Sequence, residues 1–181
     1  MGSLEIIMGP MFSGKTELLI NKYNLAKFDN PKKIIAYNYF KDTRYGDNII
    51  ASHNGLTIPS INIENLNEIF QDNNFSETTF IFINEAQFFP ELKSNIIKLV
   101  EFFNKNVVIC GLDSDFKREK FGELCDLLPY ADHIYKLNGN CNECMNKSLF
   151  TYRVTNEKDQ EVIGTDNYIP LCRKCYISKN Q

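Results

Sequence analysis

Eight residues near the start of the chain, GPMFSGKT at 9–16, follow the spacing Gly-x-x-x-x-Gly-Lys-Thr. The apolar run LEIIM at 4–8 precedes them and is typical of a buried strand. From 16 to 27, apolar residues recur at helical spacing. A strand, this spacing and a helix in that order predict a phosphate-binding loop at the edge of a parallel sheet.

The predicted loop supplies the groups that a nucleoside triphosphate such as ATP requires. Its glycines let the backbone approach the phosphates, and its N–H groups and the helix N-terminus face the anion. Lys15 would reach the β- and γ-phosphates, and Thr16 would hold Mg²⁺. The predicted phosphate-binding residues are therefore Gly9, Pro10, Met11, Phe12, Ser13, Gly14, Lys15 and Thr16. The alternative is a glycine-rich turn with an exposed lysine.

Strands and helices alternate along the first three quarters of the chain. The residue patterns predict further strands at 32–40, 57–63, 79–84, 106–112 and 133–137, and helices at 65–70, 90–105 and 123–128. Strands that are apolar throughout belong to parallel sheets covered on both faces. The predicted class is therefore α/β, a parallel sheet flanked by helices as in P-loop NTPases. The alternation stops near Asn138, which predicts a core of residues 1–138 and a small domain of residues 139–181.

Composition excludes several classes of protein. The chain has 181 residues, 43% of them hydrophobic, which is enough for one core. Because no run of about 18 apolar residues occurs, we expect no membrane span. The N-terminal residues show no basic segment or long apolar run, so we expect no secretory signal and a cytoplasmic protein. A formal net charge of −3 argues against a nucleic acid partner.

The strand predicted at 79–84 ends in two adjacent polar residues, Asn84 and Glu85. A protein with a phosphate loop needs a second strand that brings polar groups beside the phosphates, usually an Asp that orients the Mg²⁺ shell. Asn84 occupies that position, so we count it among the phosphate-binding residues. Glu85 leaves the opposite side of the strand end, where its carboxylate would face an acceptor molecule. The alternative for Glu85 is a solvated charge at a strand end.

Four of the six cysteines form two Cys-x-x-Cys pairs, Cys141 with Cys144 and Cys172 with Cys175. Two such pairs suit a structural zinc ion bound by four thiolates, which has no open coordination position. A redox Cys-x-x-Cys would account for one pair and not for two. Zinc would join the ends of residues 145–171, a flap that is a candidate lid over a second substrate. The other two cysteines lie in apolar surroundings, where free cysteines usually pack.

Five segments, in order along the chain, resemble the cytosolic, zinc-containing type II thymidine kinases. They are GPMFSGKT at 9–16, KDTRY at 41–45, NEAQFF at 84–89, GLDSDFKREKFG at 111–122, and EVIGTDNY at 161–168 followed by CRKC. The resemblance covers nearly the whole chain. It implies an α/β core, a small zinc domain and a lasso segment, here residues 161–168, over the nucleoside.

The resemblance also implies an activity and partners. The implied reaction transfers the γ-phosphoryl group of ATP to the 5′-hydroxyl of thymidine or deoxyuridine, in a protein that is usually a homotetramer. Thymidine triphosphate would be a feedback inhibitor. Glu85 would be the general base that takes the 5′-hydroxyl proton. The loop N–H groups, Lys15 and Mg²⁺ would then provide much of the barrier lowering.

Further site residues follow from matching positions of the family. Around the thymine methyl group, the matching positions are Met11, Leu112 and Tyr168, and the aromatic wall matches Phe88, Phe116 and Phe121. Backbone groups of the lasso segment would pair with the base edge, at Val162, Ile163 and Gly164. The loop near the phosphates matches Asp42 and Arg44, and Arg118 is a candidate for an extra cation there. Without the resemblance, the phenylalanines could equally belong to the hydrophobic core. Tyr168 could be an exposed aromatic residue, and Asp42 and Arg44 could form a surface ion pair.

The chain departs from the family at two points. Asn84 replaces the family's Asp and brings no negative charge, so we expect weaker Mg²⁺ binding and reduced but measurable activity. The segment IGTDNY at 163–168 is one residue shorter than the usual IGGADKY, which affects the register up to Tyr168.

Two other functions are compatible with the motifs. One is a P-loop ATPase whose zinc ribbon binds nucleic acid, with Glu85 activating water; the acidic net charge argues against it. The other is a nucleotide-binding regulator that retained the fold and lost catalysis through Asn84. Phosphate transfer to a nucleoside distinguishes both from a kinase.

Overall fold

A computed structural model describes residues 1–29, 33–42, 46–157, 159–160 and 167–181 of the chain. The strands are β1 Ser3–Gly9, β2 Ile34–Tyr39, β3 Ile49–Ala51, β4 Thr57–Pro59, β5 Ile61–Ile63, β6 Phe80–Ile83, β7 Asn106–Leu112, β8 His133–Lys136, β9 Phe150–Arg153 and β10 Tyr168–Leu171. The α-helices are α1 Lys15–Asp29, α2 Leu92–Ile97 and α3 Arg173–Lys179. A π-helical turn, Lys98–Phe102, extends α2, and 3-10 turns occupy Leu66–Gln71, Ala86–Phe88 and Leu124–Tyr130.

Six strands form one sheet in the order β5-β2-β6-β7-β1-β8. Every neighbouring pair in it is parallel. The α/β class predicted from the sequence, with a parallel sheet flanked by helices, is therefore confirmed. Because the sheet is parallel, the carboxyl ends of all six strands lie along one edge, which is where ligands bind in open α/β folds.

Apolar layers cover both faces of the sheet. On one face, Leu4 and Ile6 of β1 pack with α2 and with the 3-10 turns at Leu66–Gln71 and Leu124–Tyr130. On the other face, Ile7 packs with α1 and with the β3–β4 hairpin. Successive side chains of a strand point to opposite faces, so one apolar run serves both layers.

Four predicted elements differ from the observed ones. The single strand expected at 57–63 divides at Ser60, whose N–H donates to the carbonyl oxygen of Asn48 at 2.9 Å. Before it, β4 pairs with β3, and after it, β5 joins the main sheet beside β2. The helix expected at 90–105 begins at Leu92 and widens into the π-helical turn. The helices expected at 65–70 and 123–128 are 3-10 turns.

The C-terminal part of the chain has its own small sheet. Strands β9 and β10 pair antiparallel, and α3 follows directly after β10. Their core is a cluster of Cys141, Leu171, Cys172 and Tyr176. None of the helices in the described part of the chain could span a lipid bilayer.

Candidate active site

A cavity of about 340 Å³ lies at the carboxyl edge of the main sheet. The loop after β1, the residues after β6 and the end of β7 all reach it, because these three strands are parallel neighbours. Of the predicted site residues, those that line the cavity are Met11, Phe12, Ser13, Gly14, Lys15, Thr16, Asp42, Glu85, Phe88, Leu112, Phe116, Phe121 and Tyr168.

Some predicted residues lie elsewhere. Gly9, Pro10 and Asn84 do not line the cavity. Arg44, Val162, Ile163 and Gly164 lie outside the described residues. Arg118 is exposed and also lies away from the cavity, with its guanidinium carbon 4.7 Å from the ring centroid of Tyr176 and 5.4 Å from that of Phe150. The structure therefore does not place Arg118 where a cation would face the phosphates.

The glycine-containing loop after β1 is curved around the carbonyl oxygen of Pro10. That oxygen accepts hydrogen bonds from Ser13 Oγ at 2.8 Å and from Lys15 Nζ at 2.7 Å. Phe12 and Gly14 have φ angles of 60° and 80°, in the left-handed region that lets a loop fold back tightly. Helix α1 begins at Lys15, so its first N–H groups point toward the loop.

Glu85 turns the chain sharply at the end of β6. Its backbone is left-handed, with φ 53° and ψ 41°, and a 3-10 turn begins at the next residue. Such a conformation is unfavourable for a residue with a side chain, and it is found most often at functional sites. The turn brings Glu85 to the cavity, while its neighbour Asn84 is buried.

Gln87 contacts Glu85 directly and is a site residue that the sequence analysis missed. Its Nε2 donates to Glu85 Oε2 at 2.8 Å, and its Oε1 accepts from the Leu112 N–H at 3.0 Å. The amide nitrogen has an acceptor and the amide oxygen has a donor, so the amide is fixed in one orientation. Gln87 therefore presents a fixed N–H donor to the Glu85 carboxylate. Gln87 lies inside the NEAQFF segment, two residues after Glu85, and that proximity is the signal that could have identified it.

The side chain of Asn84 takes part in a buried polar network. Asn84 Nδ2 donates to Asn38 Oδ1 at 2.9 Å, and Asn84 Oδ1 accepts from Cys110 Sγ at 3.0 Å. Asn38 in turn donates from Nδ2 to the carbonyl oxygen of Asp42 at 3.2 Å. Burial raises the pKa of Cys110 to about 12, with the Glu85 charge adding to the effect, so the thiol keeps its proton. The network connects the ends of β2, β6 and β7 beneath the cavity.

Aromatic rings form one wall of the cavity. Phe88 stacks on Tyr39 with centroids 5.0 Å apart, and Phe121 meets Phe88 edge-on at 5.3 Å. Phe116 and Tyr168 line the same cavity from the loop after β7 and from β10. An apolar wall with a few convergent polar groups is the usual form of a small-molecule site.

The C-terminal part contacts the glycine-containing loop through Thr151 of β9. Thr151 is buried, lines the cavity and accepts a hydrogen bond at its Oγ1 from the Met11 N–H at 3.0 Å. Gly139 also packs closely against the loop, since a Cβ there would lie 2.5 Å from the Phe12 carbonyl oxygen. The small sheet therefore supports the shape of the loop.

The four predicted zinc ligands lie together. The sulfur atoms of Cys141, Cys144, Cys172 and Cys175 are all within 4.8 Å of one another. Two of the sulfur pairs that involve Cys144 are 3.6 Å apart. A tetrahedral zinc ion with Zn–S bonds of about 2.3 Å requires sulfur atoms about 3.8 Å apart, so these residues fit the metal. Such a site is closed and structural.

Within this cluster, the surroundings of Cys141 favour a thiolate, whereas the hydrogen bond to Cys172 and burial raise the pKa of Cys175 to about 12. Burial opposes ionisation of Cys141, but the backbone N–H groups of Cys172, Glu143 and Cys144 outweigh it and lower the pKa of Cys141 to about 6. Backbone N–H groups around a cysteine sulfur are what a metal-bound thiolate needs, because they stabilise its negative charge.

The fold and the cavity together define an α/β protein with a Gly-x-x-x-x-Gly-Lys-Thr loop, an adjacent carboxylate and a four-cysteine cluster. A family model described as "Thymidine kinase" matches residues 2–176. The chain belongs to the thymidine kinase family, as the motifs indicated.

Named relatives support the same assignment. A thymidine kinase of Mycoplasma mobile is 40% identical, over 97% of this chain and 88% of the relative. A cytosolic thymidine kinase of Gallus gallus is 35% identical, over 98% of this chain and 78% of the relative. A thymidine kinase of Oryza sativa subsp. japonica is 36% identical, over 97% of this chain and 66% of the relative.

Proposed function

We propose that this protein transfers the γ-phosphoryl group of ATP to the 5′-hydroxyl of thymidine or deoxyuridine. The observation that carries the proposal is that Glu85, the Lys15 loop and the aromatic wall line one cavity. A triphosphate in the loop and a nucleoside against the rings would then meet beside a carboxylate. A cavity of about 340 Å³ suits a bound small molecule.

In the proposed reaction, Glu85 accepts the proton of the 5′-hydroxyl as its oxygen attacks the γ-phosphorus. A bond forms between the 5′-oxygen and the γ-phosphorus, and the bond from that phosphorus to the β,γ-bridging oxygen breaks to release ADP. Lys15 and the N–H groups of the loop stabilise the charge on the transferring group. Gln87 keeps the Glu85 carboxylate oriented toward the acceptor.

Magnesium and zinc have separate roles in this proposal. Mg²⁺, bound with ATP through Thr16, would neutralise phosphate charge during transfer. Zinc would be structural, and its ligands Cys141, Cys144, Cys172 and Cys175 would keep β9 and β10 in place beside the cavity.

The proposed setting rests on the resemblance to the type II thymidine kinases. We propose a cytoplasmic homotetramer that supplies deoxynucleotides by salvage and is inhibited by thymidine triphosphate. Nucleic acid and membranes are not among the proposed partners. The core of residues 1–138 and the zinc domain of residues 139–181 are proposed as its two functional parts, because the main sheet ends with β8.

The direct test is phosphate transfer from radiolabelled ATP to each of the four deoxynucleosides. We expect labelled thymidine and deoxyuridine monophosphates, and we expect Glu85→Gln to lower kcat by about 10²- to 10⁴-fold, as loss of a general base does. Glu101→Gln is the matched control, since Glu101 is exposed on the turn after α2, away from the cavity.

Three outcomes of this assay are informative. Labelled nucleotide that depends on Glu85 supports the kinase. ATP hydrolysis that rises with nucleic acid, without labelled nucleoside, would identify an ATPase instead. Binding of ATP or thymidine triphosphate without any turnover would identify a regulator that has lost catalysis.

A further inference from the structure

Arg153 occupies an unusual position at the base of the loop between β9 and β10. It is the last residue of β9 and pairs across the small sheet with Tyr168, the first residue of β10. Its side chain is buried, with only 5% of the residue exposed. Burying a cation is costly unless its N–H groups are hydrogen-bonded. Both Nη atoms of Arg153 have acceptors, whereas Nε is buried without one among the described residues.

The guanidinium group of Arg153 binds the described middle part of this loop and the first residue of β10. Its Nη1 donates to the carbonyl oxygens of Glu157 at 3.0 Å and Asp159 at 2.5 Å. Its Nη2 donates to the carbonyl oxygen of Gln160 at 3.0 Å and to the Tyr168 hydroxyl at 2.6 Å. These four acceptors belong to neutral groups, so the contacts position the chain rather than neutralise a carboxylate.

The same guanidinium lies over Phe116, with its central carbon 3.8 Å from the ring centroid. Stacking of this kind combines a cation–π attraction with apolar contact. Phe116 belongs to the loop after β7 and lines the cavity, as do Gln160 and Tyr168. One side chain therefore touches three cavity residues, which come from two different loops and from β10.

A second contact joins the two loops at the same place. Gln160 Nε2 donates to Asp115 Oδ2 at 2.9 Å. Asp115 is itself buried, and its Oδ1 accepts from the N–H groups of Lys117 and Glu119 at 2.8 and 2.9 Å. The loop after β7 is thus held in shape by Asp115 and is fastened to Gln160.

We propose that Arg153 is a positioning residue for the nucleoside end of the cavity. It holds Tyr168 and Gln160 next to Phe116 and so sets the shape of that end. This inference rests on the proposed function for the identity of the substrate. Arginine suits the task because its planar fork carries five N–H donors and stacks on rings. Lysine has a compact ammonium group that reaches fewer acceptors and has no flat face.

The test compares Arg153→Met and Arg153→Lys with the wild-type protein in initial-rate kinetics. We expect both variants to raise the KM for thymidine about tenfold or more, while the KM for ATP and kcat stay near the wild-type values. Arg173→Met is the matched control, because Arg173 also faces a ring, Phe150 at 5.0 Å, but lies on α3 outside the cavity.

A merely structural role predicts a different pattern. Arg153 would then affect the melting temperature and the active fraction, and the KM for thymidine would not move. Equal increases in both KM values, or wild-type kinetics restored by Arg153→Lys, would overturn the proposal. Tyr168→Phe removes one acceptor and keeps the ring, so it tests the same contact if Arg153→Met does not fold. We expect it to raise the KM for thymidine, and an unchanged value would count against the proposal.

Thymidine binding separates this inference from the proposed function. If the wild-type protein binds thymidine in calorimetry but transfers no phosphate, the proposed kinase activity is wrong. The positioning role is then judged by affinity: a Kd about tenfold higher in Arg153→Lys supports it, and an unchanged Kd overturns it.

Discussion

Gln87 donates a hydrogen bond of 2.8 Å from its side-chain amide to Oε2 of Glu85. The amide oxygen is occupied by the Leu112 N–H, so the amide has one orientation. Gly111 and Gly122 pack closely around it: a Cβ at Gly111 would lie 2.4 Å from Gln87 Oε1, and one at Gly122 would lie 2.2 Å from the Gln87 carbonyl oxygen. The proposed base is therefore supported by a buried side chain that glycines pack against closely.

We expect Gln87→Ala to lower kcat by about 10²-fold, because a misplacement of a reacting group by about 1 Å has an effect of that size. The KM for ATP should change little, since the glycine-containing loop is untouched. Gln71→Ala, at an exposed position, is the control. Wild-type kcat in Gln87→Ala would show that Glu85 is oriented without the amide.

Asn84→Asp introduces the carboxylate that usually orients the Mg²⁺ shell at this strand end. We expect the half-saturating Mg²⁺ concentration to fall, because a buried carboxylate next to Glu85 adds negative charge close to the cavity. The melting temperature should also fall, because the new carboxylate is buried. It also lacks the N–H group with which Asn84 donates to Asn38 Oδ1. Titration of the kinase rate with Mg²⁺ measures the first effect. An unchanged Mg²⁺ dependence would mean that residue 84 serves only the buried network.

Thr151→Val removes the acceptor of the Met11 N–H while preserving the shape of the side chain. Leaving that donor without a partner costs about 1–3 kcal/mol where water cannot replace it. We expect a higher KM for ATP and a lower free energy of unfolding in urea. Thr57→Val, at an exposed position of the β3–β4 hairpin, should change neither quantity. A normal KM for ATP in Thr151→Val would show that β9 does not support the loop.

Cys141→Ser should reduce the zinc content, which in the wild-type protein we expect to be one ion per chain by elemental analysis. The melting temperature should fall with it, because structural zinc contributes on the order of 10 kcal/mol to folding. Phosphate transfer should be lost as well, since β9 adjoins the cavity. Cys125→Ser is the control, because Cys125 lies outside the cluster. Full activity without bound metal would contradict a structural zinc site.

Much of the fold could be predicted because its signals are local. The strand, loop and helix around residues 4–27 follow from apolar periodicity and from glycine positions, and the structure has β1 and α1 there. The four cysteines could be grouped because their spacing admits few alternatives. The prediction of a single strand at 57–63 was wrong. The segment divides at Ser60 because its two halves pair with two different strands, β3 and β2.

Several site residues were not predictable in this way. The contacts of Thr151 and Arg153 join residues far apart along the chain, and neither residue has a distinctive local pattern. Asn84 could be identified as a strand-end amide, but its partners Asn38 and Cys110 come from two other strands. The sequence analysis counted Asn84 among the phosphate-binding residues; in the structure its side chain bonds to these two partners and does not line the cavity.

The sequence alone determined which chemistry the chain carries: a loop whose glycines and lysine suit phosphates, a carboxylate at a strand end, and four cysteines spaced for a metal. These are properties of residue types and short spacings. Only the tertiary structure decided which groups surround that carboxylate and which side chains support the walls of the cavity. The physical reason is that such contacts depend on the parallel order of the strands, which brings together segments that are far apart along the chain.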